Sequence, residues 1–99
     1  MEKLVSLAKV LSDINRVKII ALMHREKEVC VCEICDTLEL SQPLVSRHLK
    51  QMREADIVVS IKKGKWMLYK LTKNNMLDYI LDNIEEKLHK LPKLVVCKR

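Results

Sequence analysis

The sequence predicts a mainly α domain with one β-hairpin, arranged as a winged helix-turn-helix that pairs with a second copy of itself. Three observations predict it. A short apolar helical run leads into Leu40-Ser41-Gln42-Pro43 and then into a helix with an apolar back and a basic front. The β-rich run Ile57–Ile61 and the return run Trp66–Leu71 flank the chain's only glycine, Gly64. Near the end, Leu77, Leu81, Ile84, Leu88 and Leu91 alternate four and three apart, a heptad seam suited to helix–helix pairing.

At 99 residues the chain has room for one core, so a single domain over residues 1–99 is expected. So small a core is marginal alone, and a homodimer that shares it is the expected remedy. Apolar residues are 48% of the chain, which excludes a wholly disordered protein. With no Phe, one Trp and two Tyr, an aromatic platform for single-stranded bases is also excluded. The formal net charge of +6 favours a polyanionic partner, nucleic acid first. No apolar run approaches the roughly 18 residues of a membrane helix. The start, Met1–Leu11, has lysines inside its apolar pattern, unlike a secretory signal. A cytoplasmic protein away from membranes is expected, where thiols stay reduced and clustered cysteines point to metal or redox chemistry.

The elements follow in order. Leu4, Leu7, Ala8 and Leu11 recur at helical spacing and predict a first helix over 2–11. Ser12 or Asp13 can cap a second over 14–25, with Val17, Ile20, Ala21 and His24 on one face. Arg25–Glu28 reads as a connector. Val31, Ile34 and Leu38 predict a third helix over 31–39. Ser41 is a good N-cap for a fourth over 42–55, and Pro43 is tolerated in its first turn. Val45, Leu49 and Met52 form its buried stripe, leaving Gln42, Ser46, Arg47, Lys50 and Arg53 outward, as a major groove requires. Gly64 suggests a turn with positive φ, so Lys62, Lys63 and Lys65 tip a wing that can reach phosphates. Thr72 can cap a last helix over 73–91, which Pro92 ends. Leu4 and Leu7 of the first helix and Leu77, Leu81, Ile84 and Leu88 of the last are the expected dimer interface.

Three of the four cysteines fall in Glu28-Val-Cys-Val-Cys-Glu-Ile-Cys35, just before the helix-turn-helix. That stretch, with Ser41-Gln-Pro-Leu-Val-Ser-Arg-His-Leu49 and Gly64-Lys-Trp-Met-Leu-Tyr-Lys-Leu71, resembles the arsenical-resistance repressors of the ArsR/SmtB family. The resemblance covers about residues 4–90. It implies a homodimeric repressor on double-stranded operator DNA, released by As(III) or Sb(III) as inducer, with no organic cofactor. Cys30, Cys32 and Cys35 match the family's arsenic ligands, and Ser41, Gln42, Ser46, Arg47 and His48 its DNA-reading segment. Two departures stand out. Related members often open the second helix with Asp-Pro-Thr-Arg, where this chain has Asp13-Ile-Asn-Arg16. Cys97 lies outside the three-cysteine pattern; zinc or cadmium would want a fourth ligand beside three thiolates, which Cys97 or a partner-chain group could supply. A second family site, for zinc, uses carboxylate and histidine ligands on the last helix; here Asp78 and Asp82 find only His89, and no such site is expected.

Soft thiolates select thiophilic ions, and three suit As(III), whose lone pair leaves no place for a fourth protein ligand. A regular helix turns about 100° per residue, which puts Cys30 and Cys32 about 160° apart and Cys30 and Cys35 about 140° apart. Three sulfurs cannot meet on one ion from an intact helix, so binding is expected to unwind or bend the helix start. Other readings stay open: cysteines as small buried apolar residues, a Cd(II)- or Pb(II)-responsive repressor, and a repressor whose signal is a disulfide. Cys32-Glu-Ile-Cys35 is also the C-x-x-C of a thiol oxidoreductase, without the βαβ context such enzymes need. No catalytic triad, carboxylate pair or phosphate-binding glycine loop is present, and a non-enzyme is expected.

Overall fold

The computed structural model describes residues 1–84 and 90–97. Among them five helices and a three-stranded antiparallel sheet follow in the order α1 (Glu2–Val10), α2 (Ile14–Glu26), β1 (Val29–Cys30), α3 (Val31–Leu38), α4 (Gln42–Glu54), β2 (Val58–Lys63), β3 (Trp66–Leu71) and α5 (Asn75–Asn83). This is a winged helix-turn-helix. The expected boundaries of α1 to α4 hold to within a residue, and α2 and α4 carry their own start signals. Asp13 caps α2 by accepting the N–H groups of Asn15 (2.8 Å) and Arg16 (3.3 Å). Ser41 caps α4 through its hydroxyl, which accepts the Leu44 N–H at 3.4 Å. Glu39, at φ 55°, takes the left-handed turn that closes α3, and the chain enters α4 three residues later.

Ile19, Ile20, Leu22 and Met23 of α2 are almost fully buried, so this helix is the centre of the molecule. It packs on α3 and β3, α3 packs on α4, and α4 on β2. Ile34, Val45, Leu49 and Met52 of the helix-turn-helix pack into the same core, with Ile57 just beyond α4. Burying side chains of this size stabilises by roughly 1.5–3 kcal/mol each, which fixes α4 against its support.

The sheet has the strand order β1-β3-β2. The hairpin pairs Val58 with Leu71 through Lys63 with Trp66, and Gly64 turns it at φ 60°. Strand β1 was not expected. Its two residues pair with the wing, Val29 opposite Tyr69 and Cys30 opposite Leu68. Two residues are too few for any periodicity to reveal.

The expected last helix, over 73–91, requires correction at its start and at its end, where Ile84, Lys90 and Leu91 are not helical. Thr72 does not cap it; its hydroxyl donates instead to the carbonyls of Asp56 (2.6 Å) and Ile57 (3.2 Å), closing the base of the hairpin. Asn74 caps α5 through Oδ1, which accepts the Leu77 N–H at 3.0 Å. The helix runs to Asn83, and residues 85–89, with Leu88 and His89, lie outside the described residues.

The dimer-interface expectation is corrected for three residues. Leu7, Leu77 and Leu81 are 4%, 0% and 2% exposed and belong to the core of the protomer. A heptad seam accepts any apolar partner, and here the chain's own helices supply it. Leu4 stays at the surface, 48% exposed, and Ile84 packs partly against the core.

Candidate nucleic-acid interface and thiol cluster

Helix α4 divides cleanly into two faces. Val45, His48, Leu49 and Met52 are buried. Gln42, Ser46, Arg47 and Lys50 are exposed, as is the cap Ser41. The capping hydroxyl satisfies one free N–H at the helix start, and Pro43 has no N–H to satisfy there. The result is a rigid helix presenting amide, hydroxyl and guanidinium groups that can hydrogen-bond base edges and phosphates. At the wing, Lys62, Lys63 and Lys65 are exposed, and Lys63 Nζ pairs with Glu28 Oε2 at 2.9 Å.

His48 is the exception, and its expected place on the DNA-reading face is corrected. It is 3% exposed and faces α2 rather than solvent. Its Nδ1 lies 3.5 Å from the Arg16 guanidinium and its Nε2 4.0 Å from Asp13 Oδ1. His48 follows Val45 by three residues and precedes Met52 by four, which puts all three on the inner face.

Arg16 was not singled out from the sequence. It donates to the carbonyls of Val10 (2.9 Å) and Lys9 (3.0 Å) at the end of α1 and to Gln51 Oε1 (2.9 Å) on α4. It therefore ties α1, α2 and α4 together behind the recognition face. Asp13 supports the same junction. Burial works against its ionisation, but the Arg16 and Asn15 N–H groups, with the charges of His48 and Arg16, hold its carboxyl below the usual range.

The three clustered cysteines sit where β1 becomes α3, and the structure does not gather their sulfurs. Cys30 is extended, with φ −94° and ψ 165°, and 3% exposed. Its N–H donates to Glu33 Oε1 at 3.0 Å, and Glu33 is itself wholly buried. This bond holds the first turn of α3 closed. Cys32 lies on the exposed side of that turn, in a disulfide with Cys97. Cys35, one turn further, remains a half-buried thiol. Burial raises its pKa, and the charges of Asp36 and Cys30 raise it further. Cys32, by contrast, faces the tail, where it is bonded to Cys97. From the sequence Cys97 stood only as a candidate fourth ligand for zinc or cadmium, and no local pattern could have found its disulfide partner 65 residues away. The last-helix carboxylate Asp82 meets His24 of α2, Oδ1 to Nε2 at 3.9 Å.

A buried-back helix after a tight turn, followed by a basic hairpin, defines a DNA-binding winged helix-turn-helix protein. The comparisons narrow this to one family. Residues 13–60 match the family described as "Bacterial regulatory protein, arsR family". The arsenic resistance transcriptional regulator ArsR1 of Pseudomonas putida is 51% identical over 63 residues, which is 64% of this chain and 49% of that protein. The arsenical resistance operon repressor of Staphylococcus xylosus is 33% identical over 84 residues, 85% of this chain and 79% of that protein. The chain spans about half the length of the first of these relatives. Among solved structures, HlyU from Vibrio cholerae superposes with a TM-score of 0.77 at 26% identity, covering 87% of this chain and 91% of that one. The chain belongs to the ArsR family. No helix among the described residues is long and apolar enough to cross a membrane.

Proposed function

We propose that the chain is a homodimeric, cytoplasmic transcriptional repressor that holds double-stranded operator DNA and releases it when As(III) or Sb(III) joins Cys30, Cys32 and Cys35. One observation supports the reading: the thiol stretch lies on elements that contact both DNA-reading elements. Cys30 pairs with Leu68 of the wing, whereas Cys32 and Cys35 lie on α3, which packs against α4. The names of relatives as arsenic and arsenical resistance regulators support the choice of inducer.

On DNA, Arg47 takes a guanine edge or a phosphate, and Gln42 and Ser46 read base edges. Ser41, Lys50 and the wing lysines Lys62, Lys63 and Lys65 hold the backbone. Two copies meet through α1 and α5, where Leu4, Val5, Met76 and Tyr79 are exposed apolar residues. Their recognition helices must then enter successive major grooves, roughly 34 Å apart.

Release follows from what the thiols must do. Once a cellular dithiol has reduced the Cys32–Cys97 bond, itself becoming a disulfide, the inducer supplies a centre that bonds three sulfurs, and three thiols displace the hydroxyls of arsenous acid as three waters. That exchange is neutral overall, so the raised pKa of Cys35 does not oppose it. The sulfurs of Cys30 and Cys32 face opposite surroundings, one buried and one exposed. Bringing them together opens the first turn of α3 and breaks the Cys30–Glu33 bond. The strain reaches the wing through β1 and the recognition helix through α3. A small reorientation is repeated at both half-sites, and by reciprocity DNA weakens inducer binding by the same factor.

The test is fluorescence anisotropy of the reduced protein on its own promoter DNA, titrated with As(III). Stoichiometric release, lost in Cys32→Ser, is expected. DNA binding that persists at saturating As(III) would refute the reading.

A further inference from the structure

Cys97 has no part in that reading, yet the chain carries it to the surface of α3. Three contacts fix the tail without help from sulfur. Thr37 Oγ1 accepts the Val95 N–H at 2.9 Å. Leu94 rests on the core. Arg25 donates to the carbonyls of Leu91 (3.1 Å) and Pro92 (2.7 Å). Together they bring Cys97 beside Cys32 and Asp36, and the donor atoms of all three lie within 4.8 Å of one another.

The separations suit a metal. Asp36 Oδ2 is 3.5 Å from Cys32 Sγ and 4.0 Å from Cys97 Sγ. A tetrahedral ion with metal–sulfur bonds of about 2.3 Å and metal–oxygen bonds of about 2.1 Å places sulfur and oxygen about 3.6 Å apart. Both sulfur–oxygen distances are already near this value. The two sulfurs must part to about 3.8 Å, which requires that their bond be reduced. The tail contacts keep Cys97 in place while that happens.

We propose that Cys32, Asp36 and Cys97, once reduced, form a binding site for a thiophilic divalent cation of the Zn(II)–Cd(II) class. A cellular dithiol reduces the bond: it becomes a disulfide, and Cys32 and Cys97 each leave with a proton. The cation then displaces those two protons to form two metal–sulfur bonds, and the Asp36 carboxylate supplies an oxygen. Water takes the fourth position. Two thiolates and a carboxylate suit such a cation, whereas As(III) is better served by three sulfurs. The site rests on the tail geometry and not on the three-cysteine reading, but both claim Cys32. A cation held here withdraws that sulfur from As(III).

The test uses the full chain, reduced with a phosphine and titrated with Cd(II), read by sulfur-to-cadmium charge-transfer absorbance. The double variant Cys30→Ser/Cys35→Ser is expected to bind one Cd(II) per chain. Adding Cys97→Ser should weaken that binding by more than the roughly 10- to 100-fold that loss of an outer-shell partner costs. Asp36→Asn should weaken it less. Failure of the double variant to bind Cd(II), or binding unchanged by Cys97→Ser, would overturn the site. Circular dichroism confirms that each variant is folded. Release of DNA by As(III) from the Cys97→Ser protein tests the three-cysteine reading separately.

Discussion

Cys30 and Cys32 stand two residues apart, yet the first is locked inside the sheet that carries the wing and the second is on the surface, bonded to the tail. One change of backbone makes the difference. Cys30 is the last extended residue and Val31 the first helical one, so the alternation of a strand gives way to the turn of a helix between them. The lesson is that identical side chains at short spacing need not share an environment. A stretch that reads as one ligand set is divided between two structural partners. The wing holds one end, and the recognition helix and tail hold the other.

The largest effect should come from closing the surface end. With the Cys32–Cys97 bond intact, only Cys30 and Cys35 remain for As(III), and the reading above requires three sulfurs. Protein oxidised with peroxide is expected to stay on DNA at As(III) concentrations that fully release the reduced form. Anisotropy of the two forms, side by side, checks it. Equal release from both would remove Cys32 from the ligand set and leave the division between the ends without consequence for signalling.

A smaller effect separates the two ends by stability. In reduced protein, Cys30→Ser buries a hydroxyl in place of a thiol and is expected to cost about 1–3 kcal/mol. Cys32→Ser changes an exposed position and should stay within about 0.5 kcal/mol. Urea unfolding of both variants measures the contrast. Equal costs would mean that the two ends are not differently packed.

The same division explains what the sequence could and could not disclose. Helices α1 to α4 were legible because Asp13 and Ser41 are local start signals and the apolar residues of α4 keep a helical period. The wing was legible from Gly64 between two β-rich runs. Strand β1 was not, because Val29-Cys30 becomes a strand only through Leu68 and Tyr69. The heptad seam gave the period of α5 but not its partner, so Leu77 and Leu81 turned inward to the protomer core. His48 was placed by a motif that does not say which way a ring faces; its contacts with Arg16 and Asp13 lie more than thirty residues away in the chain. The tail is the extreme case. Thr37 and Arg25 hold it through hydrogen bonds to backbone atoms of Val95, Leu91 and Pro92, which carry no side-chain signature at all.

The smallest effect concerns Cys35, whose exposure is intermediate between those of Cys30 and Cys32. Burial raises its pKa most, followed by the charges of Asp36 and Cys30. In reduced protein its alkylation by iodoacetamide should therefore rise with pH about a midpoint above that of the same thiol in denaturant, since only the thiolate reacts. Asp36→Asn should bring the midpoint part of the way down, because it removes a charge and leaves the burial. The consequence for stability has a definite sign. The folded chain binds this proton more tightly than the unfolded one, so the contribution is present in full below the unfolded thiol's pKa. It is lost as pH climbs through the higher folded value. Mass spectrometry of the Cys35 peptide against pH, native and denatured, makes the measurement. A native midpoint at or below the denatured one would mean that the helix dipole at the start of α3 outweighs burial, and that Cys35 belongs with the exposed end of the stretch.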